Sequence, residues 1–139
     1  MLRLLLDAIA PPLCAGCDRL GPFCDACRTA LSGLRPVERR DIAGVERVLA
    51  LGPYEGVLRR CVLALKFANR RDVAVQLGRM LATSWPLDMD FLVPVPLHPA
   101  RQAARGYNQA HLLAQALEEA MRLQPRSARL VVVDGLRRE

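Results

Sequence analysis

Four cysteines crowd into fourteen residues: Cys14-Ala-Gly-Cys17, a gap of six, then Cys24-Asp-Ala-Cys27. A Cys-x-x-Cys pair lets two thiolates grip one metal from a tight turn, and four thiolates fill the tetrahedron that zinc favours. Gly16 bends the first turn, and Gly21-Pro22 bends the chain between the pairs. The gap is shorter than in the usual zinc ribbon, so the expectation is a compact knuckle. Its zinc would be structural, because no coordination position is left open for chemistry. So small a segment has little core of its own and depends on the metal for its fold. An iron–sulfur cluster uses the same ligands and stays open as an alternative. A redox role for the pairs also stays open, although a thioredoxin-type dithiol needs one pair at a strand–helix junction. Disulfides need an oxidising compartment. Cys61 stands alone in a helical apolar pattern and reads as a core residue.

A second chemistry-bearing stretch runs from Phe91 to Leu117. It contains no Asp or Glu, yet holds His98, Arg101, Arg105 and His111. Arg forks match phosphate oxygens. Gly106 permits close backbone approach, and Asn108 stands where a helix can begin, offering free N–H groups to an anion. The plain alternative is that both Arg are solvated and Asn108 only caps a helix. Lys66 is the one lysine in the chain; it is either a further cation of this site or a helix-end charge.

The elements that must position these residues follow from composition and periodicity. The chain has 139 residues, 52% hydrophobic and 24% charged, which excludes wholesale disorder. The net charge of +6 forms no basic tail; it allows anionic partners without demonstrating nucleic-acid binding. Residues 1–12 read as a short amphipathic helix. A signal peptide is disfavoured because Asp7 interrupts the Leu4-Leu5-Leu6 run and Pro11-Pro12 sits where cleavage should occur. No stretch is long enough for a membrane span, so a cytoplasmic protein is expected.

The zinc module is placed at 13–34 and a linker at 35–44, with Ser, Gly and Pro punctuating 28–44. Val45–Leu51 reads as a strand and 55–67 as a helix. A second helix starts at Asp72 and ends before Pro86, with Val73, Leu77, Met80 and Leu81 inward. Phe91–Val95 reads as a buried strand, and Pro94–Gly106 as irregular. Asn108 caps a third helix, and Arg129–Val133 is a second buried strand. Strands alternating with helices argue for an α/β parallel sheet, with ligands at the strands' carboxyl ends.

The string Val93-Pro-Val-Pro-Leu-His98-Pro-Ala-Arg101-Gln-Ala-Ala-Arg105-Gly-Tyr-Asn-Gln-Ala110 closely resembles the ComF family of competence-related proteins. So do Gly52-Pro-Tyr54-Glu-Gly56-Val-Leu-Arg and Leu65-Lys66-Phe67, and so does an opening of Leu-rich helix, Pro-Pro and paired Cys-x-x-Cys motifs. The resemblance covers about residues 2 to 138. It implies a zinc module with Cys14, Cys17, Cys24 and Cys27 as ligands. A type I phosphoribosyltransferase-like α/β domain would follow at 45–139. In that fold the loop here spanning about 96–107 would contact pyrophosphate, with Arg101, Arg105, Gly106, Asn108 and Lys66 as candidates. Complete relatives would use magnesium with phosphoribosyl pyrophosphate.

The family's further signature is an apolar strand, two adjacent acids and a Thr/Gly-rich phosphate loop. Here Val131-Val132-Val133-Asp134-Gly135 brings one acid, and Leu136-Arg-Arg-Glu139 follows. The expectation is therefore an incomplete domain, inactive as a transferase. An alternative is a zinc-containing binding module that contacts single-stranded DNA or a protein of the competence machinery. Against it, the few aromatics are not spaced as a stacking platform.

Overall fold

The computed structural model describes residues 13–21, 23–84, 89–124 and 130–136. The helix expected over 1–12 lies outside the described residues. The chain is a mixed α/β structure in the order α1 (Asp25–Ser32), β1 (Val37–Arg39), β2 (Val48–Ala50), α2 (Gly56–Phe67), α3 (Asp72–Ser84), β3 (Phe91–Leu92), α4 (Pro99–Arg105), α5 (Gln109–Arg122) and β4 (Val131–Val132).

Two small sheets form among the described residues. β1 and β2 pair antiparallel, Val37 opposite Ala50 and Arg39 opposite Val48. β3 and β4 pair parallel, Phe91 opposite Val131, with α4 and α5 in the connection. The βαβ unit expected over Phe91–Val133 is thus present, but its sheet is one strand pair. The strand expected at Val45–Leu51 is shorter and does not join that pair. It closes a hairpin with residues expected to be linker.

Helix α5 begins where its sequence says. The Asn108 side chain accepts from the Ala110 N–H (2.9 Å), replacing one bond the first turn lacks. The irregular backbone expected over Pro94–Gly106 is corrected in its second half, which forms α4. His98 is its N-cap, Nδ1 accepting from the Ala100 N–H (3.2 Å). Pro99 follows at the first turn, where it lacks no needed donor. Gly106 ends the helix with φ +78°, a left-handed cap that glycine adopts without strain.

Helix α3 packs closely against α5. A Cβ on Gly78 would lie 2.5 Å from Ala116 Cβ and 2.8 Å from the Ala116 carbonyl carbon. Leu117 and Met121 of α5 meet Ala82 of α3 and Leu130 in one core cluster. A larger cluster joins Cys14, Phe23, Cys27 and Leu31 to Leu58, Cys61, Leu65, Val73, Leu77 and Tyr107. The knuckle therefore shares its core with α2 and α3.

Candidate metal centre and basic cleft

The knuckle is built by two turns. The N–H groups of Cys17 and Asp18 donate to the Cys14 carbonyl (3.3 and 2.9 Å), and Cys14 N–H donates to Arg19 O (2.6 Å). These bonds fold Cys14–Cys17 into a tight loop, with Asp18 left-handed at φ +60°. Cys24 then serves as N-cap of α1, and Cys27 falls in its first turn.

The four Sγ atoms lie within 4.8 Å of one another. Cys24 Sγ is 3.7 Å from Cys14 Sγ and 3.5 Å from Cys17 Sγ. A tetrahedron with arms of about 2.3 Å has sulfur–sulfur edges of roughly 3.8 Å, so the donor set fits zinc. These separations are far beyond a sulfur–sulfur bond, and none of the four cysteines is in a disulfide.

The electrostatics of the group also ask for a cation. Burial opposes charge on Cys14, but the N–H groups of Cys24 and Gly16 and the thiols of Cys24 and Cys27 hold it down to about 6. Burial pushes Cys27 the other way, helped by its thiol neighbours and by the charge on Cys14. The thiols are coupled, so charge on Cys14 raises the cost of charge on Cys27. A bound dication relieves that conflict by stabilising every thiolate together. Zinc held by Cys14, Cys17, Cys24 and Cys27 would supply a structural crosslink. Cys61 stays outside this group; burial, then the charge on Cys14, pushes its thiol up to about 11.

Gly16 is fixed by close approach. A Cβ there would stand 2.7 Å from Cys27 Sγ and 2.8 Å from Val57 Cγ1. Gly16→Ala is therefore expected to displace a ligand sulfur and weaken zinc binding about tenfold or more, the scale of perturbations just outside the ligand shell. Competition with a chromophoric chelator measures this; unchanged affinity would show that α2 yields instead.

The cations singled out in the sequence gather at a separate place. Lys66, Arg101 and Arg105 line a cleft of about 630 Å³ together with Phe67, Asn69 and Tyr107, and none of the described residues that line it is an acid. Lys66 comes from the last turn of α2, the two Arg from α4. Tyr107 holds the helices together: its buried hydroxyl donates to the Leu65 carbonyl. Arg105 lies over the Phe67 ring, 5.4 Å from its centroid, and donates to Gln109 Oε1.

Over 81 aligned residues the chain is 36% identical to the DNA utilization protein YhgH of Salmonella typhi. That alignment takes in 52% of this chain and 35% of the relative, so the chain spans about a third of the relative's length. No family model matches the chain, and no solved structure matches it. Among the described residues no helix is long and apolar enough to cross a membrane.

Asn108 is not in the cleft with Lys66. Its Oδ1 caps α5, and its Nδ2 donates to Val95 O (3.0 Å). It borders a second hollow of about 450 Å³ by Pro94, Pro96, His111 and Asp134, beyond the carboxyl ends of β3 and β4. There His111 Nδ1 stands 3.3 Å from Asp134 Oδ1. Gly106, the cap of α4, is not among the lining residues of either hollow. The sequence-derived set is therefore split. Lys66, Arg101 and Arg105 converge, while Asn108 and the α5 N-terminus face elsewhere.

Sequence reasoning missed Phe67, Asn69, Arg71 and Tyr107. Arg71 packs its guanidinium over the Tyr107 ring, 4.6 Å from the centroid, and donates to Asn69 Oδ1 (3.1 Å). The available signal was local: an Asn-Arg-Arg turn between two helices, and a Tyr flanked by a Gly cap and an Asn cap.

Proposed function

We propose that this chain serves DNA utilization as a ComF-like protein: a zinc-stapled α/β body of phosphoribosyltransferase type whose basic cleft holds a phosphate-bearing ligand. One observation carries the reading. Lys66 comes from one helix and Arg101 and Arg105 from another more than thirty residues on, yet they line one cleft with no acid among its described lining residues. Like charges on one cleft repel, and a bound anion would relieve that repulsion. The name of the relative and the Arg-Gly-Tyr-Asn-Gln-Ala segment support the same assignment.

Two guanidinium forks and an ammonium suit a diphosphate, and phosphoribosyl pyrophosphate is the ligand the resemblance implies. In the sequence, Asp134-Gly135-Leu136 stands where a second acid and a Thr/Gly loop would hold the ribose phosphate. Binding without transferase turnover is thus expected of residues 1–139. Four thiols held for metal suit a reducing compartment such as the cytoplasm.

Titration with inorganic pyrophosphate tests the cleft. Arg101→Ala and Arg105→Ala are each expected to weaken binding about tenfold, the loss of a charge-assisted bond. Binding that survives both substitutions would sink the assignment, and pyrophosphate release from phosphoribosyl pyrophosphate would overturn the expected inactivity. A second reading, single-stranded DNA along the same face, is favoured by the Phe67 ring, 74% exposed beneath Arg105. Tight, steeply salt-dependent binding of an oligonucleotide would select it.

A further inference from the structure

We infer that the four-cysteine knuckle positions the basic cleft, so that metal binding and anion binding are coupled through the turn between α2 and α3. This rests on reading the cleft as an anion site. Residues 68–71 form that turn, and they touch both sites. On one side Arg70 donates to the Leu13 carbonyl, at the edge of the knuckle, and forks onto Asp72 (2.9 and 2.7 Å). On the other side Asn69 lines the cleft, and Arg71 covers the ring of Tyr107. Asn69 is left-handed at φ +51°, a backbone state that its surroundings must hold in place.

A second tie runs parallel. Arg60 Nη1 donates to the Gly16 carbonyl (3.3 Å), between the first two ligands. Leu58 and Cys61 of α2 pack against Cys14 and Cys27, and the same helix ends in Leu65, Lys66 and Phe67. Its Leu65 carbonyl holds the Tyr107 hydroxyl. Moving the knuckle therefore moves the α2 C-terminus and the turn, which carry Lys66, Phe67 and Asn69. Neither Arg60 nor Arg70 is among the four cysteines or the described residues that line the cleft; they are positioning residues. A metal that fixes the knuckle pre-forms the cleft, and an anion that fixes the cleft must by reciprocity tighten the metal.

The test uses the zinc-loaded full chain and inorganic pyrophosphate. Wild type, Arg70→Ala and Arg59→Ala are titrated, zinc per chain is measured on the same samples, and amide exchange is followed over 66–71. Arg70→Ala is expected to keep one zinc, to bind pyrophosphate about fivefold weaker or worse, and to exchange faster in the turn. Arg59→Ala removes the same charge from an exposed position of α2 and is expected to cost less than about twofold, as screening allows. If it costs as much as Arg70→Ala, charge rather than position explains the loss and the inference falls. Wild-type affinity or unchanged exchange in Arg70→Ala overturns it while leaving the cleft assignment intact. No pyrophosphate binding by the wild type removes the assignment and the inference together. If Arg70→Ala loses its metal, Arg60→Ala, which severs the other tie, replaces it in the comparison.

Discussion

Stripping zinc from the chain, or replacing Cys27 with Ser, is expected to abolish its cooperative thermal transition. The reason lies in where the core sits. The largest fully buried side chains among the described residues are Leu31, Leu65, Leu117, Met121, Val73, Cys14 and Cys61. Five of these seven belong to the cluster that the knuckle shares with α2 and α3. Remove the metal, and among the described residues the loop Cys14–Cys17 is held to α1 by thiol contacts, the Cys24 N–H to Cys14 Sγ bond (3.4 Å) and shared core packing, with no crosslink. Structural zinc supplies about 10–16 kcal/mol of apparent binding energy in small peptides. A whole small domain is stable by about 5–15 kcal/mol. Loss of the metal is thus large enough to remove the folded state rather than to soften one corner of it.

The measurement is zinc content beside the thermal transition followed by circular dichroism. Cys61→Ala provides the contrast: its thiol lies outside the four-sulfur group, so it should retain one zinc per chain. It should still melt earlier, because it leaves a hole in a fully buried position. A metal-free chain that unfolds at the wild-type midpoint would overturn the argument and make the cysteines ornamental to stability.

The parts of this structure that the sequence made legible have an apolar stripe or a cap. Helix α2 follows Leu58, Cys61 and Leu65, all buried, and α3 follows Val73 and Leu77. Asn108 caps α5 as expected. The grouping of the four cysteines was legible from spacing alone. Helix α4 was not, and the reason is physical: none of its residues is buried, so it has no stripe to betray it. Its only signals are His98-Pro99 at the start and Gly106 at the end, and the prolines before it obscure them. β1 is exposed along its length, Val37 to Arg39, so no alternation marks it as a strand.

The cleft was half legible. Two Arg in an acid-free stretch pointed to an anion, but periodicity carries no information about which helix will face them. The meeting of Lys66 with Arg101 depends on the docking of α2 against the α4–α5 corner, and the Tyr107 hydroxyl fixes that docking from within the core. Assigning the α5 N-terminus to the same anion followed from adjacency in sequence. In space, the Asn108 cap lies on the other side of Tyr107, facing the ends of β3 and β4.

The crossing of α3 and α5 sets up the second large effect. Gly78→Ala is expected to destabilise the chain, although alanine is the better helix former by about 1 kcal/mol. The added Cβ would meet Ala116 Cβ at 2.5 Å, the Ala116 carbonyl carbon at 2.8 Å and the Leu117 nitrogen at 2.9 Å. Two of those atoms are backbone and cannot rotate away. The helices must part, and parting them loosens Leu117 and Met121 from Ala82 and Leu130. Overpacking of this kind costs about 1–3 kcal/mol, enough to outweigh the propensity gain. Gly78→Leu should exceed what a small domain tolerates. Ala116→Gly, paired with Gly78→Ala, removes the shortest contact but neither backbone clash, so it should restore only part of the loss. Urea titration of the single and double variants gives the interaction energy between the two positions. Full rescue would show that the side-chain contact alone sets the approach. A stabilised Gly78→Ala would mean that the helices stand further apart in solution and that the crossing is not the constraint described here.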